Sequence, residues 1–369
     1  ARNYVTPSDY VHDRFRNNVL TVIVTLTLIV VLCNFLLAQL MAMGRAMQGL
    51  SQIDQDTAYI GGVIVLALIM VIYGTLGGLR AVAWTDAIQG VILMFGFAIL
   101  LLLLFDLYGP LVNATNVLMA QDLTSGTRKT LPPNALQCRE WLSYILTVGF
   151  AGSLYPQAIQ RIYAARSAIA LRRSLSIMAF MPLPTMIIAV IAGIMAAAYI
   201  PGLEDAASDQ VFGRVLREIQ AHSTIGYGVV VVLLSAVLAA MMSTADSALL
   251  SISSMFTKDI YARFIRPDSS QVHLTAVAKS CSWITIALLV GLAIALRYHA
   301  SLVALMDRKL DLLIQMVPIF MVGLRWPGLR AGPVLIGLCT GILLAMLLAF
   351  GGFDFVQKGK IAGFHPGLV

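Results

Sequence analysis

The most distinctive pattern in the chain is a run of small and hydroxylated residues inside an apolar segment, AAMMSTADSALLS at residues 239–251. Positions 240, 243, 244, 247 and 251 are separated by three, one, three and four residues, so on an α-helix they share one face. Hydroxyl and carbonyl oxygens suit a hard, weakly charged cation, which makes this face a candidate cation site. A small-residue packing seam, with serines bonded back to their own helix, explains the same pattern.

Two carboxylates stand out near apolar segments. Asp246 lies inside one, and a charge within lipid costs several kcal/mol, so it is a candidate functional group. Asp86 follows a glycine-rich stretch at 73–78 and lies one helical turn before Gln89. The pattern predicts two spans joined by a tight cytoplasmic turn, with Asp86 near the membrane boundary. A solvated carboxylate that caps the start of a helix is the alternative.

A third segment, GFAGSLYPQAIQR at residues 149–161, combines glycines with Pro156 in the second half of an apolar run. Such residues can break a helix, and unwound backbone at membrane depth is tolerated only beside protein or a cavity. Transporters place their substrates at breaks of this kind. The alternative is a packed helix that ends at Pro156.

Membrane-spanning helices must position these residues. Apolar residues make up 59% and charged residues 12% of the 369 residues, whereas soluble domains average roughly 45–50% and about 25%. Because a helix needs about 20 apolar residues to cross a bilayer, the sequence predicts a single transmembrane domain over residues 1–369. The nine predicted spans are 19–43, 59–78, 87–107, 142–159, 175–200, 225–252, 277–296, 310–324 and 334–350.

The distribution of charge predicts the orientation of these spans. With residue 1 in the cytoplasm, 14 of the 25 Lys and Arg residues but only five of the 18 Asp and Glu residues face that side. An excess of Lys and Arg marks the cytoplasmic face. The N-terminal end is therefore predicted inside, and the C-terminal end outside, the plasma (cell inner) membrane. The net charge of +7 is a topology signal, and nucleic acid is not an expected partner.

Cysteine and histidine patterns argue against enzyme chemistry. The four cysteines show no paired spacing, and neither an HExxH nor a GxSxG arrangement occurs. An intramembrane metalloprotease or serine hydrolase therefore has little support. We predict that the protein is not an enzyme and has no catalytic residues.

Three of these segments together resemble the sodium/solute symporter family, which includes proline, sugar, pantothenate and monocarboxylate carriers. The similar stretches are 243–247 with Ile260-Tyr261, 77–89, and 156–161. The resemblance covers essentially the whole chain and implies an all-α, leucine-transporter-type bundle of two inverted five-helix repeats. In that pattern the chain starts after the first helices of the first repeat, so both of its ends are expected to be cut.

The resemblance also implies roles for individual residues. Ser243, Thr244 and the carbonyl of Ala240 match the ligands of the coupling sodium ion, and no other metal or cofactor is implied. Asp86 matches an acidic residue that influences cation coupling. The candidates for coupling or gating are Asp86, Asp246 and Ser247. The candidates for facing the substrate are Gly149, Phe150, Gly152, Ser153, Tyr155 and Gln157 beside the break, and Gln315 on a later helix.

The predicted function is secondary active transport, in which sodium drives a small polar solute across the membrane by alternating access. The solute would be an amino acid, a carboxylate or a sugar. Three alternatives stay open at this point. They are a transporter-like sensory domain fused to a histidine kinase, a membrane protein without cation coupling, and a non-functional fragment.

Overall fold

The computed structural model describes residues 4–52, 54–203, 205–222, 226–357 and 359–369; the side chains at 77–83, 205–206, 226 and 357 are outside the description. Nearly all regular structure in these ranges is helical. The α-helices are α1 (Pro7–Phe15), α2 (Asn18–Leu50), α3 (Gln55–Tyr108), α4 (Leu111–Ser125), α5 (Ala135–Ala151), α6 (Pro156–Tyr163), α7 (Ala168–Phe180), α8 (Pro182–Tyr199), α9 (Asp205–Ser208), α10 (Val211–His222), α11 (Gly226–Met255), α12 (Gln271–Ala295), α13 (Leu302–Leu313), α14 (Gly323–Arg325) and α15 (Ala331–Phe350).

Short irregular elements interrupt or extend several helices. Gly152–Leu154 and Ile314–Met316 form 3₁₀ turns, whereas Phe256–Ile265 and Pro318–Val322 have π-helical hydrogen bonding. Two short antiparallel strands, β1 (Val356–Gln357) and β2 (Lys360–Ile361), form a hairpin after α15.

Polar side chains just before several helices fix where those helices begin. The Asn17 side chain accepts a hydrogen bond from the Leu20 amide at 2.9 Å, and α2 follows it. Ser167, Ser270 and Ser301 accept the equivalent bond at the starts of α7, α12 and α13. Each cap satisfies an amide that has no partner within its helix.

The predicted tight turn between residues 78 and 87 is wrong, because the backbone of α3 is helical from Gln55 to Tyr108. The helix is nevertheless not straight. Tyr73 donates a hydrogen bond to the Thr85 hydroxyl at 2.6 Å, although twelve residues of straight helix would separate them by about 18 Å. The axis of α3 therefore bends between these residues, in the glycine-rich stretch that predicted the turn.

Two clusters of buried apolar side chains hold the helices together. The larger surrounds α2 and includes the N-terminal half of α3, the C-terminal half of α11, and parts of α12 and α13. The smaller joins the C-terminal half of α3 to α4, α8, α10 and the start of α11. The bend in α3 lets one helix contribute to both clusters.

Seven helical segments among the described residues are long and apolar enough to cross a membrane: Asn18–Leu50, Gln55–Leu76, Trp84–Tyr108, Ala168–Tyr199, Tyr227–Ile265, Gln271–Ala295 and Ala331–Phe350. The other two predicted spans, 142–159 and 310–324, fall where the helix is interrupted, so no single helix covers either. The first residue of the predicted span 225–252 lies outside the described residues. The count of nine spans stays a prediction.

α2 and α10 cross with their backbones in direct contact. A Cβ atom on Gly213 would overlap the Ala46 carbonyl oxygen, and one on Gly49 would overlap the Gln210 carbonyl oxygen. Small residues allow this close approach between helices. The segment that includes α10 is thereby fixed against the N-terminal half of the bundle.

Candidate functional site: a broken helix beside a hydroxylated helix face

The predicted helix break is present at Gly152–Pro156. α5 ends at Ala151, a single 3₁₀ turn follows, and Tyr155 has a non-helical backbone with φ −57° and ψ 126°. Pro156 then occupies the first position of α6, where its missing amide hydrogen breaks no hydrogen bond. The chain therefore continues as a helix on both sides of Tyr155, with a step in the backbone between them.

A cavity of about 700 Å³ lies beside this break. Gly152, Tyr155 and Gln157 line it, so the structure brings three of the predicted substrate-facing residues to one place. Phe35 of α2 forms part of the wall, and the rest comes from α6, the loop after it and α7. The wall is mainly apolar, with a few polar groups, as is usual for small-molecule sites.

The other predicted substrate-facing residues lie away from this cavity. Gly149, Phe150 and Ser153 are exposed and do not line it. Gln315 instead donates hydrogen bonds to the Gly367 carbonyl at 2.9 Å and to the Asp311 carbonyl at 3.3 Å. It thus holds the C-terminal segment against the end of α13.

The C-terminal segment makes further polar contacts there. The buried imidazole of His365 lies 2.7 Å from the Ser143 hydroxyl and 3.3 Å from a carboxylate oxygen of Asp307. Tyr144 donates to the same Asp307 oxygen at 2.8 Å. These bonds join α5, α13 and the segment after β2 into one unit on the side of the break that leads to α5.

Three hydroxyls on the hydroxylated face of α11 are bonded back to their own helix. Thr244 donates to the Ala240 carbonyl at 3.1 Å, Ser247 to the Ser243 carbonyl at 3.1 Å, and Ser251 to the Ser247 carbonyl at 2.8 Å. This pattern agrees with the packing alternative. Each hydroxyl uses its hydrogen in the bond, so its oxygen lone pairs remain able to coordinate a cation.

Two side chains of α6 connect the broken helix to that face. Gln160 donates to the Ser254 hydroxyl at 3.0 Å, and its Oε1 lies 2.8 Å from the Ser251 hydroxyl, whose one hydrogen it shares with the Ser247 carbonyl. Arg161 donates to both the Asp86 carboxylate of α3 and the Ser247 hydroxyl of α11. The sequence marked neither residue as functional, although both belong to the segment that carries the resemblance.

Several oxygens around this network are buried and have no hydrogen-bond partner among the described residues. They are Asp86 Oδ1 and Gln89 Oε1 on α3, Gln157 Oε1 on α6, and Asp246 Oδ1 on α11. Asp246 itself is only 2% exposed. Buried polar atoms are nearly always satisfied, so these oxygens are the groups that a bound cation or water would contact.

Lys309 of α13 is a further buried charge near the break, and the sequence did not mark it. Its side chain is 4% exposed, and its ammonium lies 4.0 Å from the ring centroid of Phe35 and 5.0 Å from that of Tyr155. Its hydrogen-bond partner in the described part of the chain is the Met306 sulfur, at 2.9 Å. The residue lies immediately before a predicted span, and that position alone could have suggested it.

Comparison with known proteins identifies relatives over the whole length of the chain. YwcA of Bacillus subtilis, an uncharacterised symporter, is 24% identical over 99% of this chain and 72% of its own length. The sodium/pantothenate symporter of Haemophilus influenzae is 29% identical over 70% of this chain, and its sodium/proline symporter 27% identical over 79%. The chain spans about half the length of these two symporters, 51% and 57%.

The fold comparison agrees. The structure of a Na⁺-coupled sialic acid symporter, in a substrate-bound outward-open state, matches with a TM-score of 0.71 over 98% of this chain and 74% of that one, at 19% identity. The predicted leucine-transporter-type helical fold is thereby confirmed.

The family model for sodium:solute symporters matches residues 1–341. The predicted classification as a membrane-embedded carrier of this family, and not an enzyme, is confirmed, and a sensory domain is not favoured. The chain belongs to the sodium:solute symporter family.

Proposed function

We propose that this chain contains the ion and solute sites of a sodium-coupled symporter. In this proposal Na⁺ is coordinated by the hydroxyls of Ser243 and Thr244 and by the Ala240 carbonyl. A small solute occupies the cavity beside the break, against Gly152, Tyr155 and Gln157. The observation that carries the proposal is that α6 contacts the cavity on one side and the hydroxylated face of α11 on the other.

Coupling between the two sites follows from this shared element. A sodium ion on α11 stabilises the arrangement of α11 and α6 in which the break is shaped to accept solute. The solute stabilises the same arrangement from the cavity side, because coupling between two ligands is reciprocal. The membrane potential contributes about 2.3 kcal/mol per charge for each 100 mV, so the inward movement of sodium can concentrate the solute.

Asp86, Asp246 and Ser247 are proposed to act in coupling or gating. Arg161 holds Asp86 and Ser247 at once, so this one contact joins three helices. A cation bound at the free Oδ1 of Asp86 or Asp246 would compete with the Arg161 guanidinium for the negative charge of these carboxylates. The solute itself is proposed to be small and polar, since relatives are named for pantothenate, proline and glucose.

The test is the sodium dependence of uptake by the full-length carrier in proteoliposomes. Thr244→Ala removes an oxygen that alanine cannot replace, and an unmet buried partner costs roughly 1–3 kcal/mol. We therefore expect the sodium concentration for half-maximal uptake to rise at least tenfold. Thr340→Ala is the matched control, because Thr340 makes the same kind of bond to the Ile336 carbonyl but is exposed on α15.

Uptake of pantothenate, proline and glucose, the solutes for which relatives are named, is measured first. The part of the uptake that is lost when choline replaces sodium is the sodium-coupled part. Each variant must be present in the membrane in the same amount as the wild type. An unchanged sodium dependence in Thr244→Ala would assign the hydroxylated face to helix packing and reject this cation site.

A further inference from the structure

The ammonium of Lys309 is buried with no counter-ion among the residues that the structure describes. The side chain is 4% exposed, and no carboxylate in the described part of the chain lies within 4.0 Å of it. Two aromatic rings and one thioether sulfur are its contacts. Aromatic faces attract a cation, but they supply no negative charge, and a thioether is a weak acceptor.

The carboxylates nearest in sequence are directed elsewhere. Asp307 and Asp311 are each two residues from Lys309, which places them on the opposite side of a helix with 3.6 residues per turn. Asp307 accepts hydrogen bonds from Tyr144 and His365, and Asp311 pairs with Arg308 at 3.0 Å. α13 therefore presents its acids to the C-terminal segment and its one unpaired amine to the break.

The amine is next to the cavity. Phe35 and Tyr155, the two rings that Lys309 contacts, both line the cavity beside the break. Their centroids are 5.8 Å apart. This is the spacing of two rings in contact, so the pair separates the ammonium from the cavity. A small anionic group in the cavity reaches the ammonium when the two rings move apart.

We propose that the transported solute is a small carboxylate anion, and that Lys309 binds its carboxylate at the aromatic end of the cavity. The inference rests on the proposed function, in that it takes this cavity as the solute site. A buried cation demands a partner that is strong and complementary, and a charge-assisted ammonium–carboxylate hydrogen bond is such a partner. The apolar side chains of α7 in the cavity wall suit a short hydrocarbon tail, and Arg161 and Arg166, which also line the cavity, add positive charge that favours an anion.

The competing explanation is that the rings hold Lys309 for structure alone. The two explanations predict different effects for a substitution that removes the positive charge but keeps the volume of the side chain. Lys309→Met matches the shape of the side chain and the apolar surroundings, so a structural lysine is replaced at little cost to folding. A binding lysine is not replaceable in this way, because the solute loses its counter-ion.

The experiment measures binding separately from transport. Purified full-length carrier, wild type and variants, is titrated with acetate, pyruvate and lactate as anions and with glucose and proline as solutes without net charge, in sodium chloride and in choline chloride. Thermal unfolding reports binding, since a ligand that binds the folded state raises the midpoint. Lys360→Gln is the matched control: Lys360 also lies over a ring, that of Tyr144 at 4.3 Å, but in the β1–β2 hairpin.

We expect at least one carboxylate to stabilise the wild type and Lys360→Gln, and to require at least tenfold more ligand in Lys309→Met. Lys309→Arg, which keeps the charge, should lose less than Lys309→Met. Carboxylate binding that is weakened in Lys309→Met, but is equally strong in sodium and in choline, would support this inference and contradict sodium coupling. Sodium-driven uptake of glucose, or of proline equally in the wild type and Lys309→Met, with none of the three anions bound, would overturn this inference and leave the proposed function intact. Carboxylate binding unchanged in Lys309→Met would also overturn it.

Discussion

Arg161 and Asp86 are 75 positions apart in the chain, yet their side chains form an ion pair that joins α6 to α3. The same nitrogen of Arg161 also bonds to Ser247, so the pair is part of a three-helix contact. Asp86 is 13% exposed, whereas Arg161 is half exposed. Water can therefore replace part of what either side chain loses.

This pair predicts non-additive effects of mutation on coupling. We expect Asp86→Asn to raise the sodium concentration for half-maximal uptake about threefold, less than Thr244→Ala, because partly exposed ion pairs contribute little. Arg161→Gln should have a comparable effect. The double variant should be no worse than the stronger single variant, since both changes break one contact. Sodium titrations of uptake by the four proteins measure this.

Arg166→Gln serves as the control for that cycle. Arg166 lines the same cavity as Arg161 but is exposed and forms no ion pair in the part of the chain that the structure describes. The effect of Arg166→Gln on the sodium concentration for half-maximal uptake should therefore simply add to the effect of Asp86→Asn. Strictly additive effects for Arg161→Gln and Asp86→Asn would show that the ion pair does not act in coupling.

The orientation of the chain is a separate prediction from its loop charges. In a cysteine-free background, Ser167→Cys and Ser125→Cys should react with an impermeant maleimide from opposite faces of the membrane. Both positions are exposed, at the start of α7 and the end of α4. The predicted topology places Ser167 in the cytoplasm. Labelling of both cysteines from one face would reject it.

Asp122 organises the loop after α4, and this predicts a pH dependence. Hydrogen bonds from the Thr127 hydroxyl, then the Thr130 hydroxyl and the amides of Thr130 and Lys129, hold the pKa of Asp122 well below its usual range. A lowered pKa means that the loop is stabilised at neutral pH. That stabilisation is lost only as the pH falls through the lowered pKa.

Hydrogen exchange of the peptide at 126–131 tests this. Protection, corrected for intrinsic exchange rates, should be equal at pH 7 and pH 5 in the wild type. Asp122→Asn should lower protection severalfold at both pH values, because the amide cannot satisfy four donors. Asp106→Asn, at an exposed carboxylate within α3, is the control. Wild-type protection that already falls at pH 5 would contradict the assigned bonds.

Local patterns predicted the features that depend on local backbone chemistry. Glycines and Pro156 predicted the break, and the spacing of hydroxyls predicted one face of α11, since both follow from the geometry of a single helix. The prediction of a turn before Asp86 was wrong for a related reason. Glycine permits a turn or a bend, and the bond between Tyr73 and Thr85 accompanies the bend.

Contacts between distant elements could not be predicted in the same way. Lys309 is significant because its ammonium contacts the rings of Phe35 and Tyr155, which are 274 and 154 positions earlier in the chain. The family resemblance predicts Gln315 beside the substrate, whereas in the structure Gln315 donates a hydrogen bond to the Gly367 carbonyl, in a C-terminal segment whose position no helix pattern indicates. Neither assignment can be made without knowing which helices are neighbours.

The glycine crossing of α2 and α10 has a mechanical consequence. At Gly49 and Gly213 the two backbones touch, with no side chain between them to change rotamer and absorb a displacement. A rocking movement that tilts α2 must therefore carry α10 with it as a rigid lever. A reporter group attached to α10 would therefore report the movements of α2, although α2 itself is largely buried in the bundle.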